Sequence, residues 1–177
     1  NPKKARQYLN RHNFNKGLLR RTEINFIPPV FAATITDACN LRCPTCLYLL
    51  ENPDKFFPGM LSAEKFRQLL EKYNKGRKAE IIFLDGGEPL LHPDFGLLVD
   101  ICKEYGLSPK TSTNGTLIEK NISSLVKLDY VNVSLDAYDH ETFRKNRGGT
   151  SEQFDSIMRG LRLLKENNVY FSISYLL

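Results

Sequence analysis

Cys39, Cys43 and Cys46 stand within eight residues, in the string Cys39-Asn-Leu-Arg-Cys43-Pro-Thr-Cys46, and no fourth thiol lies close by in the sequence. A structural zinc site closes its coordination with four protein ligands, whereas a site that activates something keeps one position open. Three thiolates on a short loop suit three irons of a cubane cluster, because thiolates are the soft ligands such clusters take, and they leave the fourth iron for a small molecule. The competing reading is a zinc site completed by a remote residue, in a zinc-stabilised module that uses a basic segment on nucleic acid. Farther along, Gly86-Gly87-Glu88-Pro89 follows an apolar run. Glycine lets backbone come close to a ligand, and a carboxylate beside it can accept hydrogen bonds from an ammonium group. Cys102 falls on the apolar stripe of a helical segment and is expected to be a core thiol.

Cys-x-x-x-Cys-x-x-Cys after an apolar strand, followed by Gly86-Gly87-Glu88-Pro89, resembles the radical S-adenosylmethionine (SAM) enzymes, in their sulfatase-maturase-like, peptide-modifying or molybdenum-cofactor-biosynthesis branches. The resemblance runs from residue 29 to residue 177. It implies a 4Fe-4S cluster on Cys39, Cys43 and Cys46, with the amino and carboxylate groups of SAM on the unique iron. Reduction by a donor such as flavodoxin or ferredoxin then cleaves SAM to methionine and a 5'-deoxyadenosyl radical that abstracts hydrogen from a substrate. By the same resemblance Gly86, Gly87 and Glu88 hold the SAM amino group, and Thr113, Ser134 and Asp136 line its ribose or carboxylate. Arg144 matches an arginine that reaches the carboxylate in some branches, with Arg147 as the weaker candidate. Thr45 departs from the pattern, since relatives often carry an aromatic residue before the third cysteine, and Asp85 stands where they often carry a small or apolar one. The resemblance leaves the substrate open between a peptide or protein and a small molecule such as a pterin, tetrapyrrole or lipid.

The elements that must carry these residues alternate. Val30 to Thr36, Ile81 to Leu84, Pro109 to Thr113, Tyr130 to Leu135 and Val169 to Leu176 read as strands from their apolar and β-branched content. Between them Phe66, Leu69, Leu70 and Tyr73, with Ser62 as N-cap, keep the spacing of a buried helical face. Phe95, Leu98, Val99 and Cys102 repeat it, as do Ile118, Ile122, Leu125 and Val126, and then Phe154, Ile157, Met158, Leu161 and Leu164. Thr116-Leu-Ile-Glu119 and Thr150-Ser-Glu-Gln153 read as capping boxes. Alternating strands and helices predict an α/β fold with a parallel sheet, either a Rossmann-like layer or a β/α barrel. Candidate residues follow four successive strands, which favours a partial (β/α) TIM-like barrel with its site on one rim. Five strands of the six such cores usually have are expected, in a core from 29 to 177 that is C-terminally incomplete.

A chain of 177 residues, 41% of them hydrophobic, can bury one substantial core. Its net charge of +5 is uneven: residues 1 to 21 carry seven Lys or Arg and no acid, which leaves 18 basic against 20 acidic residues elsewhere. Residues 1–28 therefore read as a basic, helical N-terminal arm, a solvated or substrate-capping helix or a contact to an anionic partner. No apolar run approaches the roughly eighteen residues of a membrane span. Four cysteines, three at ligand spacing, point to a reducing compartment, so a cytoplasmic protein is expected.

Overall fold

A computed structural model describes residues 29–47, 59–74 and 79–175 of the chain, so the basic arm lies outside the described residues. Five strands, β1 (Val30–Thr36), β2 (Ile81–Gly86), β3 (Ser108–Thr113), β4 (Tyr130–Ser134) and β5 (Phe171–Ser174), form one sheet in the order β1-β2-β3-β4-β5. Every neighbouring pair is parallel. That unbroken order decides between the two α/β candidates. A doubly wound sheet reverses its strand order at a switch point, whereas in a β/α barrel each strand pairs with the next one in the chain. The fold is a partial (β/α) TIM-like barrel.

Helices α1 (Ala63–Tyr73), α2 (Phe95–Glu104) and α3 (Ile118–Leu125) fill the first three crossovers, and α4 (His140–Arg147) with α5 (Ser151–Glu166) fills the fourth. Alternation along the strands sends Ile82, Leu84, Thr111, Val131 and Val133 into the core shared with Leu98, Val99, Ile101, Ile118 and Ile157. The intervening positions Phe83, Asp85, Lys110, Ser112, Tyr130, Asn132 and Ser134 are half-buried on the opposite face, the inner face of the barrel. That face is polar: Ser172 and Ser174 donate to Asn132 Oδ1 at 2.9 and 2.8 Å, and Lys110 lies over the rings of Phe83 and Tyr130.

The helical stripes hold except at their ends. Ser62 caps α1 by accepting from Lys65 N–H, and Thr150 and Gln153 form the capping box of α5. Tyr73, in the last turn of α1, is 53% exposed, and Val126, just past the end of α3, is exposed as well, so neither is core. The expected box at Thr116 does not form. Helix α3 begins one residue later than that box implies, at Ile118 with Leu117 as its N-cap and no side-chain cap, because the Thr116 hydroxyl is engaged elsewhere. Strand β5 is shorter than expected, and residues 176 and 177 lie outside the described residues.

Candidate active site

All the candidate segments sit at the C-terminal ends of β1 to β4, the rim where barrels of this kind build their sites. The cysteine loop leaves β1 after Thr36, and the Gly86–Glu88 segment leaves β2 directly beside it. Gly87 N–H donates to Thr36 O at 2.9 Å and Glu88 N–H to Ala38 O at 2.7 Å. This contact explains the glycines. A Cβ on Gly86 would stand 2.0 Å from Thr36 O and one on Gly87 2.4 Å from Ala38 O, and Gly86 has φ +147°, which disfavours any side chain. On the other side Leu41 is buried in the core, Cys39 and Cys43 pack against it, and Cys46 N–H closes a turn on Cys43 O at 3.0 Å.

Glu88 is 1% exposed and its carboxylate is used by its own chain. Oε1 accepts from Thr113 Oγ1 at 2.6 Å and from Leu90 N–H at 3.1 Å, and Oε2 accepts from Asn114 N–H at 2.7 Å. Burial pushes its carboxyl up, against the pull of these bonds and of the Arg147 charge. A carboxylate offers about four lone-pair sites, so the three bonds leave one for a further donor. Thr113 is committed to the same contact and also accepts from Gly115 N–H. Ser134, the last residue of β4, is half-buried at the rim. Asp85, also half-buried, takes one long bond from Ser112 N–H at 3.4 Å, and burial raises its carboxyl.

The structure brings Arg147 to this rim and leaves Arg144 exposed on α4. Helix α4 meets the cysteine loop at its C-terminal end: Gly148, left-handed at φ +65°, lies so close to the Arg42 carbonyl that a Cβ would be 2.6 Å from it. Three residues earlier the side chain starts about 4.5 Å farther from that contact along the axis. Arg147 Nη1 donates to Asp136 Oδ2 at 2.8 Å, both side chains being largely buried, and Arg147 Nε is buried with no partner among the described residues. Asp136 itself has φ +51° and its carbonyl accepts from Asn146 Nδ2 at 2.8 Å. The carboxylate expected on a ligand is thus bonded to an arginine, which it orients.

The thiols are tested against a cluster by their own chemistry. Cys39, Cys43 and Cys46 are free and half-buried. Burial pushes the Cys39 and Cys43 thiols up, while the Arg147 charge pulls both down. Metal binding deprotonates a coordinating thiol outright, and a guanidinium beside it offsets the charge gained. Among the described residues no three His, Cys, Asp or Glu side chains converge tightly enough to grip a single ion. Three thiol donors on one rim loop, with the Arg147 charge beside two of them, suit a cluster held by cysteine thiolates. Cys102 is wholly buried, its thiol pushed up to about 12, and is a core residue as expected. His92 is structural too: Nε2 bonds Leu61 O and Nδ1 accepts from Asp94 N–H, both at 3.1 Å.

Residues 33–177 match the sequence profile of the Radical SAM superfamily. The chain belongs to that superfamily. Membership brings its cofactors, a 4Fe-4S cluster and S-adenosylmethionine, and its class, that of enzymes. Fe-coproporphyrin III synthase of Methanosarcina barkeri is 33% identical over 150 residues, 83% of this chain and 36% of the relative. The mycofactocin maturase MftC of Mycobacterium tuberculosis is 35% identical over 133 residues, 73% and 32% of the two chains. The chain therefore spans about a third of the length of these curated radical SAM relatives. In structure, SuiB of Streptococcus suis bound to S-adenosylmethionine aligns over 93% of this chain and 36% of its own with TM-score 0.69 at 19% identity, a likeness of fold. In the complex of SuiB with its precursor peptide SuiA the TM-score is 0.73. No helix among the described residues is long and apolar enough to cross a membrane.

Sequence reasoning passed over Asn40 and the cysteine-loop contact of Gly148. Asn40 stands inside the cysteine string, where the cysteines and Thr45 drew the argument. A glycine five residues after Phe143, closing a helix that opens on Asp139-x-x-Thr142, was the available signal for the second.

Proposed function

We propose that residues 29–177 are the catalytic core of a radical SAM enzyme, preceded by a basic arm at 1–28, and that Cys39, Cys43 and Cys46 hold its 4Fe-4S cluster. When bound and reduced by a flavodoxin- or ferredoxin-like donor, the cluster supplies the electron that cleaves SAM to methionine and a 5'-deoxyadenosyl radical, which takes hydrogen from the substrate. The observation that carries this reading is the backbone docking of Gly87 and Glu88 onto Thr36 and Ala38, which puts the second motif against the base of the cysteine loop. Gly86, Gly87 and Glu88 present backbone and one open carboxylate lone pair to the SAM ammonium. Arg147, oriented by Asp136, takes the SAM carboxylate in place of Arg144, and Ser134 with Thr113 completes the rim. Guanidinium suits that task because its fork matches a carboxylate.

For the substrate the preferred reading is a peptide or protein. The 35% identity to a maturase supports it, and the inner face bearing Asp85, Lys110, Ser112, Asn132 and Ser134 offers the hydrogen-bonding groups a peptide backbone needs. The match to Fe-coproporphyrin III synthase favours a second reading, a tetrapyrrole.

After anaerobic reconstitution of the protein, four irons and four sulfides per chain are expected, as a 4Fe-4S cluster requires. SAM should perturb the cluster's electronic spectrum, and dithionite should release 5'-deoxyadenosine. About one zinc with no sulfide would instead establish the zinc-stabilised module. Stimulation of 5'-deoxyadenosine release by Fe-coproporphyrin III and by no peptide would turn the substrate reading to the tetrapyrrole.

A further inference from the structure

Asn40, Asn114 and Thr116 close a ring of hydrogen bonds between two loops that lie 74 residues apart in sequence. Asn114 Nδ2 donates to Asn40 Oδ1 at 2.8 Å, Asn40 Nδ2 donates to Thr116 Oγ1 at 2.8 Å, and Thr116 Oγ1 donates to Asn114 Oδ1 at 2.7 Å. Each of the three groups donates once and accepts at least once, so the ring is satisfied within itself, and Thr116 N–H adds a bond to Asn114 Oδ1 at 3.0 Å.

Two members of the ring are immobile. Asn114 is buried, its N–H bonded to Glu88 Oε2, and the next residue, Gly115, turns the chain at φ +84° where a Cβ would be 2.9 Å from Val133 Cγ1. Thr116 is 7% exposed, and its carbonyl accepts from Ser156 Oγ of α5 at 3.2 Å. Asn40 is the member on the loop, placed between the first thiol and Leu41-Arg42-Cys43. The ring therefore transmits the position of the β3 rim to the residue that follows Cys39. It also accounts for the uncapped start of α3: the hydroxyl that local sequence would spend on the helix is spent on the loop.

We propose that Asn40, Asn114 and Thr116 are positioning residues that hold the cysteine loop in its cluster-ready arrangement before any iron arrives. The proposal deepens the radical SAM reading and rests on it for the purpose of the loop, though the latch itself is testable on the metal-free chain. Thr116→Val keeps the shape of the side chain and removes the hydroxyl, and Thr116→Ser restores it. In the metal-free protein, alkylation of Cys39, Cys43 and Cys46 by iodoacetamide is followed by mass spectrometry, with Cys102 as the buried internal reference. Two ring bonds of ordinary net strength are lost in Thr116→Val, so alkylation should be about 5- to 150-fold faster there, with the wild-type rate in Thr116→Ser and Cys102 protected throughout. Release of iron from reconstituted protein to a chelator should follow the same order. Wild-type alkylation in Thr116→Val with Cys102 protected overturns the latch. Should Cys102 become reactive, meaning the core has opened, Asn40→Ala on the half-buried loop takes over the same measurement and the same criterion. A wild-type protein that takes up no iron overturns the radical SAM reading and leaves the alkylation result to judge the latch.

Discussion

Replacing Cys39, Cys43 and Cys46 together with alanine will yield a chain that still folds cooperatively in its apo form and takes up neither iron nor sulfide. The loss of the cluster follows from the donor set, since the one remaining cysteine, Cys102, is buried in the core with its thiol pushed up to about 12. Retention of the fold follows from how the loop is held. Asp37 N–H bonds Gly59 O, Gly87 and Glu88 N–H bond Thr36 and Ala38 carbonyls, and Leu41 is buried, all without a thiol. Each half-buried thiol contributes about 1 kcal/mol or less of packing, which in a domain of this size moves the melting midpoint by roughly 2–4 °C apiece. In the reconstituted wild type, by contrast, bound cluster adds its binding free energy to stability, so the gap between holo wild type and the triple variant should greatly exceed the gap between the two apo forms. Iron and sulfide counts with calorimetry of all three forms decide it. Stoichiometric iron in the variant, or an apo variant that no longer melts cooperatively, contradicts the assignment.

The strands were legible from their apolar and β-branched runs and the turn residues beside them; β1 runs from Val30 to Thr36 as read. The rim was legible for the same reason, since knowing where strands end is knowing where the next residues lie. What stayed hidden depends on contacts between loops. Helix α4 buries a single apolar residue, Phe143, so it has no stripe to read, and only its caps at Asp139 and Gly148 announce it. The proposal of Arg147 over Arg144 rests on the end of that helix that meets the cysteine loop. Thr116 misled in an instructive way, because a capping box is a local preference that a tertiary hydrogen bond of similar strength can outbid. Glu88 was legible as part of the site, but its burial and its three bonds to Leu90, Thr113 and Asn114 come from β3 standing beside β2.

Glu88→Ala should therefore do far more than weaken a ligand. Removing the carboxylate leaves the buried Thr113 hydroxyl and the Asn114 and Leu90 N–H groups without their acceptor, each at a cost of about 1–3 kcal/mol before relaxation, so a loss on the order of 3–5 kcal/mol is expected. It also cuts the tie between the β2 and β3 loops, on which the Asn114 side of the cysteine-loop ring depends. Glu88→Gln keeps the shape and one acceptor oxygen for Thr113 and Leu90, but turns an amide –NH2 toward the Asn114 N–H. Its cost should be smaller, about 1–3 kcal/mol, with the fold retained. The two variants separate the structural role from the ligand role. Urea unfolding of the apo forms should rank wild type above Gln above Ala, and the Gln variant, folded and able to take up iron, should still bind SAM more weakly because the oxygen that held the open lone pair has become an –NH2 donor and the charge is gone. Equal unfolding midpoints for wild type and Glu88→Ala would show that the buried bonds do not carry the site, and undiminished SAM affinity in Glu88→Gln would remove the carboxylate from the SAM contacts.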